Sequence, residues 1–258
     1  MNYSDMFFNE NKINTQELLL NDRPSYLENF LEDCDSLVDW NSIEDCLNRP
    51  ELFDFELIDT NNKQIEIPTH EKLWVWHKQV QEKSFLFEKI NQGHTLVILN
   101  YSYYNRKTIE FLKKIETLFY VRSAIHIYCG IGNSCSFSIH EDFPANFIVQ
   151  IEGKTRWKVF NNRCSTLFRL GTLNGMVENH AIDENILDLC IDVELSPGDA
   201  LYIPSRCFHA AYPSEKRISM SIPCWSKFQN DSPNKSLDRT WYTLNNKTQN
   251  YIFKSRVV

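Results

Sequence analysis

His140 and Asp142, one residue apart in SFSIHEDF, are two side chains that bind divalent metals well, and they stand directly before a run that reads as a buried β-hairpin. Two ligands do not hold an ion, so a third is required. It is offered further along, in SPGDALYIPSRCFHAAYP, where Pro197, Gly198 and Asp199 make a turn, Ala200 to Ile203 a strand, and His209 falls at the start of the next strand. Two imidazoles and one carboxylate on one face of an octahedral ion leave three positions open, the arrangement of non-haem Fe(II) oxygenases. The bland alternative is an exposed His140, a turn-forming Asp142 and a core His209 satisfied by hydrogen bonds.

Bringing these residues together is the task of the surrounding elements. From Ser123 on, the hydrophobic period is two: SAIHIYC, SFSIH, NFIVQIE, TRWKVF, DVELS, DALYIP and RISMSIP all read as strands. A double-stranded β-helix would put the two ends of the motif on neighbouring strands at the barrel mouth. Earlier in the chain the pattern is mixed. Apolar spacing of three and four predicts helices from Thr15 to Glu32 and from Trp40 to Asn48, the second capped by Asn41 with Glu44. FDFELID and KQIEIP, joined across Asn61 and Asn62, read as a hairpin, and Lys83 to Asn91 as a short helix stopped by Gly93. HTLVILN is a buried strand. Asn105 then caps the amphipathic helix RKTIEFLKKIETLF, whose Ile109, Phe111, Leu112, Ile115 and Leu118 share one face.

At 258 residues the chain suits one β-rich domain: a helical and β cap over residues 1–94, a β-helix core over 95–225 and an extension over 226–258. With 42% hydrophobic and 24% charged residues it has the balance of a globular protein with a real core, not of a disordered chain. The net charge of −7 argues against nucleic acid as a partner, because phosphate binding needs a basic surface. The start, MNYSDMFFNENK, lacks the layout of a secretory signal, and no apolar run approaches the ~20 residues that cross a bilayer. A cytoplasmic location without membrane contact is expected. The eight cysteines are scattered without a CxxC pair, as buried free thiols in a reducing compartment would be, and ferrous iron survives there. A homodimer is left open.

In combination, HED at His140 to Asp142, NFIVQIEGKTRW at Asn146 to Trp157 and PGDALYIPSRCFHAA at Pro197 to Ala211 carry a family resemblance, joined by INQGHTLVILN before the long helix and IHIYCG after it. Over Trp40 to Trp225 the chain resembles the JmjC/cupin-type 2-oxoglutarate oxygenases, especially the ribosomal-protein hydroxylase branch. The resemblance implies a mainly β, α+β fold: a double-stranded β-helix (jelly-roll/cupin) barrel with a helical cap. It implies Fe(II) on His140, Asp142 and His209, with 2-oxoglutarate as cosubstrate and O₂ as oxidant. The product would be succinate and a hydroxylated C–H bond of a peptide, a protein side chain or a free amino acid, or a demethylated nitrogen. Where the ribosomal branch continues into further segments, about thirty residues follow the barrel here, so a peptide natural product or free amino acid stands beside a ribosomal protein as the expected substrate.

One family position departs. Two residues after the hairpin glycine the family carries a cation for the far carboxylate of 2-oxoglutarate, and here Gly153 is followed by Lys154 and then Thr155. Alternation puts Thr155, Trp157 and Val159 on the inward face and Lys154, Arg156 and Lys158 outward. A buried dicarboxylate still needs a cationic partner, and Arg217 is the substitute expected, sharing its strand face with Ser219 and Ser221. The alternative for Arg217 is an exposed charge at the strand end. By the same resemblance Tyr128, Asn146 and Ser221 are expected at the cosubstrate, as is His126, which could instead act as a donor to a metal ligand. Ser102, Tyr103 and Tyr104 are placed near the barrel mouth. His70, His77, His94 and His180 have no partner at ligand spacing. Thr155 in place of the cation also favours a rival reading, a metal-binding cupin that acts as a binding module without catalysis. A third is a cupin enzyme that needs no cosubstrate.

Overall fold

The computed structural model describes residue 18 and residues 22–60, 63–72, 78–132, 137–163 and 184–226. Its described strands are β1 (Ser25–Leu27), β2 (Asp54–Ile58), β3 (Gln64–Ile65), β4 (Thr69–Lys72), β5 (Lys78–Gln81), β6 (Thr95–Leu99), β7 (Val121–Ser123), β8 (His126–Gly130), β9 (Phe137–Glu141), β10 (Ala145–Glu152), β11 (Thr155–Arg163), β12 (Leu189–Leu195), β13 (Ala200–Ile203), β14 (Cys207–Pro213) and β15 (Arg217–Ser226). The helices are α1 (Trp40–Leu47), α2 (Lys83–Asn91) and α3 (Arg106–Leu118), with short 3-10 turns at Tyr101–Tyr103 and Glu184–Ile186. The expected fold is what the chain adopts: mainly β, as two facing antiparallel sheets. The major sheet runs β1-β13-β10-β15-β8-β6-β2-β3, with β7 also on β15, and the minor sheet runs β12-β11-β14-β9.

Each strand serves two layers because its side chains alternate. In β10, Phe147, Val149 and Ile151 join the core beneath the helices, whereas Ile148 meets Trp157, Val159, Leu201 and Ala211 between the sheets. In β14, Phe208 and Ala210 pack outward with Ile139 and Phe160, so His209 turns inward. Helix α3 buries Phe111, Leu112 and Ile115 on the major sheet, while Ile109 and Leu118 are only partly covered. It starts where the sequence places it, with Asn105 accepting from the Thr108 N–H and the Thr108 hydroxyl accepting from the Asn105 N–H. Gly93 (φ +88°) terminates α2 in the left-handed conformation that glycine adopts without strain.

Two expectations fail in the first forty-odd residues. Helix α1 is capped by Asp39, not by Asn41 with Glu44: Asp39 takes the Ser42 N–H at 2.8 Å and Ser42 Oγ accepts from the Asp39 N–H at 3.0 Å. The helix expected from Thr15 to Glu32 does not reach its end. Leu18 is helical, but Pro24 cannot supply the N–H a helix interior needs, and Ser25–Leu27 instead pair with Ala200–Tyr202 along the edge of the major sheet. The segment before residue 94 thus contributes β1, β2 and β3 to the same sheet as the later strands. The β4–β5 pair is an addition that the sequence reading lacks. The histidines at 77 and 180, the Asn61–Asn62 turn and the tail from residue 227 lie outside the described residues.

Candidate metal centre and its cavity

The ligand pair forms because β9 and β14 are antiparallel neighbours with His140 directly opposite His209. Facing residues of adjacent strands hold their side chains about 5 Å apart on one face, and the two imidazole centroids are 4.2 Å apart. Asp142 follows the end of β9, and its Oδ2 lies 3.5 Å from His209 Nε2. One nitrogen or oxygen from each of the three falls within 4.8 Å of the others, and among the described residues this is the one such cluster of potential metal ligands.

Hydrogen bonds fix how each ligand points. His209 Nδ1–H donates to the Cys207 carbonyl at 2.9 Å, which leaves the Nε2 lone pair directed at the cluster. Asn146 Nδ2 is 3.4 Å from Asp142 Oδ2, and Asn146 is held in turn because its Oδ1 accepts from Ser221 Oγ and the Ile222 N–H, each at 3.0 Å. Burial pushes the Asp142 carboxyl up, but the His209 hydrogen bond, the nearby imidazoles and Asn146 outweigh it and hold the group well below the usual carboxylate range. Burial lowers His209, and the Asp142 hydrogen bond and charge reverse the direction, so its pKa is raised.

A second device sits behind the ligands. Glu141, between them in sequence, is buried against the equally buried Arg206, with Oε2 to Nε at 3.0 Å in a geometry short of a hydrogen bond. The Arg206 N–H donates to the Asp142 carbonyl at 2.8 Å, and Ser205 Oγ donates to the Phe143 carbonyl at 2.6 Å. The turn carrying Asp142 is thereby tied to the turn that precedes His209. Nothing in the alternation pattern announces this pair.

The three ligands lie on the wall of a cavity of about 410 Å³ between the sheets, which Tyr128, Asn146, Thr155, Arg217 and Ser221 also line. Arg217 is 2% exposed, so the exposed strand-end alternative for it is wrong. Its guanidinium passes over Gly130, where an added Cβ would sit 2.9 Å from Nη1, and reaches Thr95 Oγ1 at 2.7 Å. Glycine at 130 leaves room for that path. Thr155 and Trp157 point inward as alternation requires, and Lys154, Arg156 and Lys158 point outward to Glu194, Asp192 and Glu184. The Thr155 hydroxyl and the Trp157 indole N–H are buried on the cavity wall without a hydrogen-bond partner among the described residues. Unpaired buried donors are costly, and an acceptor on a bound ligand would relieve that cost. Tyr128 has its phenol pushed upward by burial and by the Asp142 and Glu56 charges. His126 is not among the lining residues: its Nδ1 accepts from the Asn100 N–H at 3.2 Å, and burial lowers its pKa. Ser102, Tyr103 and Tyr104 do not line the cavity either. Ser102 is buried as acceptor for the Ile125 N–H, and Tyr104 donates to Asp45. The polar cavity residues that the sequence reading missed are Glu56 and Gln64 from the β2–β3 hairpin and the indole of Trp157, and the apolar ones are Ile58, Ile148, Ala211 and Met220. Alternation in FDFELID carries the signal for Glu56, which falls between the buried Phe55 and Leu57.

Residues 100–231 match the model of the JmjC domain. The chain is 23% identical over 183 residues to the bifunctional lysine-specific demethylase and histidyl-hydroxylase NO66 of Drosophila mojavensis, covering 67% of this chain and 20% of that protein. It is 28% identical over 134 residues to NO66 of Drosophila simulans, covering 51% and 15%. The chain thus spans a fifth or less of the length of these curated relatives. Among solved structures, YcfD, a ribosomal oxygenase from Escherichia coli in complex with cobalt and 2-oxoglutarate, superposes with a TM-score of 0.62 at 16% identity, covering 92% of this chain and 58% of that one. At that identity the likeness is one of fold.

Proposed function

Because the chain belongs to the JmjC-domain family, we propose that it is an Fe(II)- and 2-oxoglutarate-dependent oxygenase that hydroxylates a C–H bond of a peptide or protein side chain, or of a free amino acid. The observation that carries this reading is the convergence of His140, Asp142 and His209 on a cavity wall that also holds a buried guanidinium and two unpartnered donors. The residues fit both absent groups. Two imidazoles and a carboxylate suit a divalent first-row ion and leave positions for other ligands. Arg217, Thr155 and Trp157 suit an organic acid, with the guanidinium taking over the task of the family cation that Thr155 cannot perform.

When bound, the iron and the keto acid supply the oxidising chemistry. The chain's part is placement. Cys207 and Asn146 orient His209 and Asp142, and the Glu141–Arg206 pair fixes the distance between their turns. Arg217 anchors the far carboxylate, Tyr128 and Ser221 flank the cavity, and Ile148, Trp157 and Ala211 keep water from it. That YcfD is a ribosomal oxygenase and NO66 a demethylase and histidyl-hydroxylase supports a protein side chain as the substrate.

Incubation of a cell extract with the protein, Fe(II), 2-oxoglutarate and O₂ tests this reading. Succinate should form, and mass spectrometry should find a peptide with one added oxygen that is missing when His140→Ala replaces the wild type. Metal binding without succinate or added oxygen would instead favour the non-catalytic cupin, the reading that Thr155 supports.

A further inference from the structure

The β2–β3 hairpin, which sequence reasoning assigned to the cap, places a carboxylate on the cavity wall. Glu56 pairs with Val97 on β6, Val97 with Tyr128 on β8, and Tyr128 with Ser219 on β15, so these four side chains form one row on the inner face of the major sheet. Glu56 is at the far end of that row, three strand spacings or about 14 Å along the sheet from Ser219. It is half-buried on the lining, with Gln64 and Ile58 beside it. Among the described residues no hydrogen bond or ion pair involves its carboxylate, and burial alone pushes its pKa up.

Charge accounting sharpens the point. A divalent ion, the Asp142 carboxylate, the Arg217 guanidinium and a dianionic keto acid cancel, leaving Glu56 as the one uncompensated charge on the described lining. A carboxylate withdrawn from water with no cation opposite it is unfavourable until a cation arrives. The buried, unpartnered hydroxyl of Thr155 and indole N–H of Trp157 show independently that this cavity is built to receive ligands.

We propose that Glu56, assisted by the Gln64 amide, recognises a cationic nitrogen of the substrate, an ammonium or a guanidinium, and thereby sets which carbon faces the metal. This rests on the oxygenase reading and gives its substrate a charge class. Arg217 and Glu56 then divide the cavity by sign, an anion-holding region and a cation-holding region, so that the cosubstrate and the substrate cannot exchange places.

The test uses the full chain loaded with Mn(II) and 2-oxoglutarate, and reads relaxation enhancement of probe protons by the paramagnetic ion, which detects millimolar binding. Probes are Nα-acetyl-arginine methylamide against its uncharged citrulline isostere, and Nα-acetyl-lysine methylamide against the Nε-acetylated form. Enhancement should be roughly threefold or more greater for the charged member of at least one pair. Glu56→Gln should erase the difference, and Glu56→Lys should reverse it. Equal enhancement within both pairs in the wild type, including none for any probe, overturns the proposal, as does a preference that survives Glu56→Gln. Binding of 2-oxoglutarate to the same Mn(II) sample is measured first. If it binds and charge selectivity is absent, only the role of Glu56 fails; if it does not bind, the oxygenase reading fails.

Discussion

Replacing Arg217 by methionine keeps an unbranched stem over Gly130 while removing the charge. In the wild type the guanidinium is 2% exposed and bonded to Thr95 Oγ1 at 2.7 Å, so it is fixed in place before any ligand arrives. Truncating one partner of a buried, hydrogen-bonded charge pair costs about 2–5 kcal/mol of binding, which corresponds to a loss of roughly 30-fold to several thousand-fold in affinity. The metal ligands are on other strands, so Mn(II) affinity should change by less than about threefold. Isothermal titration of the metal-free protein with Mn(II), and then of the Mn(II) protein with 2-oxoglutarate, gives the two numbers. Adding Thr155→Lys to Arg217→Met restores a cation at the family's position and should recover at least tenfold of the loss. An unchanged 2-oxoglutarate affinity in Arg217→Met would show that the acid lies elsewhere and refute the anchoring role.

Breaking the Glu141–Arg206 pair by Arg206→Met should destabilise the fold by about 3–5 kcal/mol, read as a lowered midpoint in urea, because it strands a buried carboxylate; Glu141→Met with Arg206→Met should cost less than the sum of the single changes. The Cβ of Gly130→Ala would crowd only the tip of Arg217, its other neighbour being the His94 carbonyl at 3.4 Å, so stability should fall by less than about 1 kcal/mol while 2-oxoglutarate affinity falls about tenfold, a dissociation that titration and thermal melting together would reveal. Gly153→Ala is the contrasting case: its φ of +66° and a Cβ that would run into the Lys216 carbonyl oxygen demand backbone movement, and loss of more than about 2 kcal/mol is expected by denaturant titration. Asn146→Ala should weaken Mn(II) binding about 10-fold or more by freeing Asp142 and leaving Ser221 without its acceptor.

Local pattern sufficed where local pattern governs. Alternation through KTRWKV turned Thr155 and Trp157 toward the cavity and Lys154, Arg156 and Lys158 away from it, because a strand's side-chain period is two, whereas Asn146, on a strand buried on both faces, was placed by the family resemblance. Asn105 announced α3 for the same reason, since its cap is satisfied within four residues. What escaped depended on partners distant in the chain. Ser25–Leu27 are a strand only because Ala200–Tyr202 offer a sheet edge, and the apolar spacing around them fits a helix equally well. Arg217 could be exposed or buried until its path over Gly130 to Thr95 was known, a path set by pairing of β15 with β8 and β8 with β6. Glu141 and Arg206 each look like ordinary surface charges, and their burial follows from two turns meeting. His140, Asp142 and His209 were the easiest to pick out, because a pair with one residue between them and a histidine after a Pro-Gly-Asp turn are marks that the sequence carries locally, although bringing them together depends on the register that sets His140 opposite His209.

The most direct measurement is an anaerobic titration of the Fe(II)-loaded protein with 2-oxoglutarate, followed by visible absorption. If His140, Asp142 and His209 hold the ion and leave positions free, a weak charge-transfer band from a keto acid chelating the metal grows in and saturates at one equivalent per chain, and His209→Ala abolishes it. A protein that binds one Fe(II) through these residues yet shows no band at saturating 2-oxoglutarate would contradict the account.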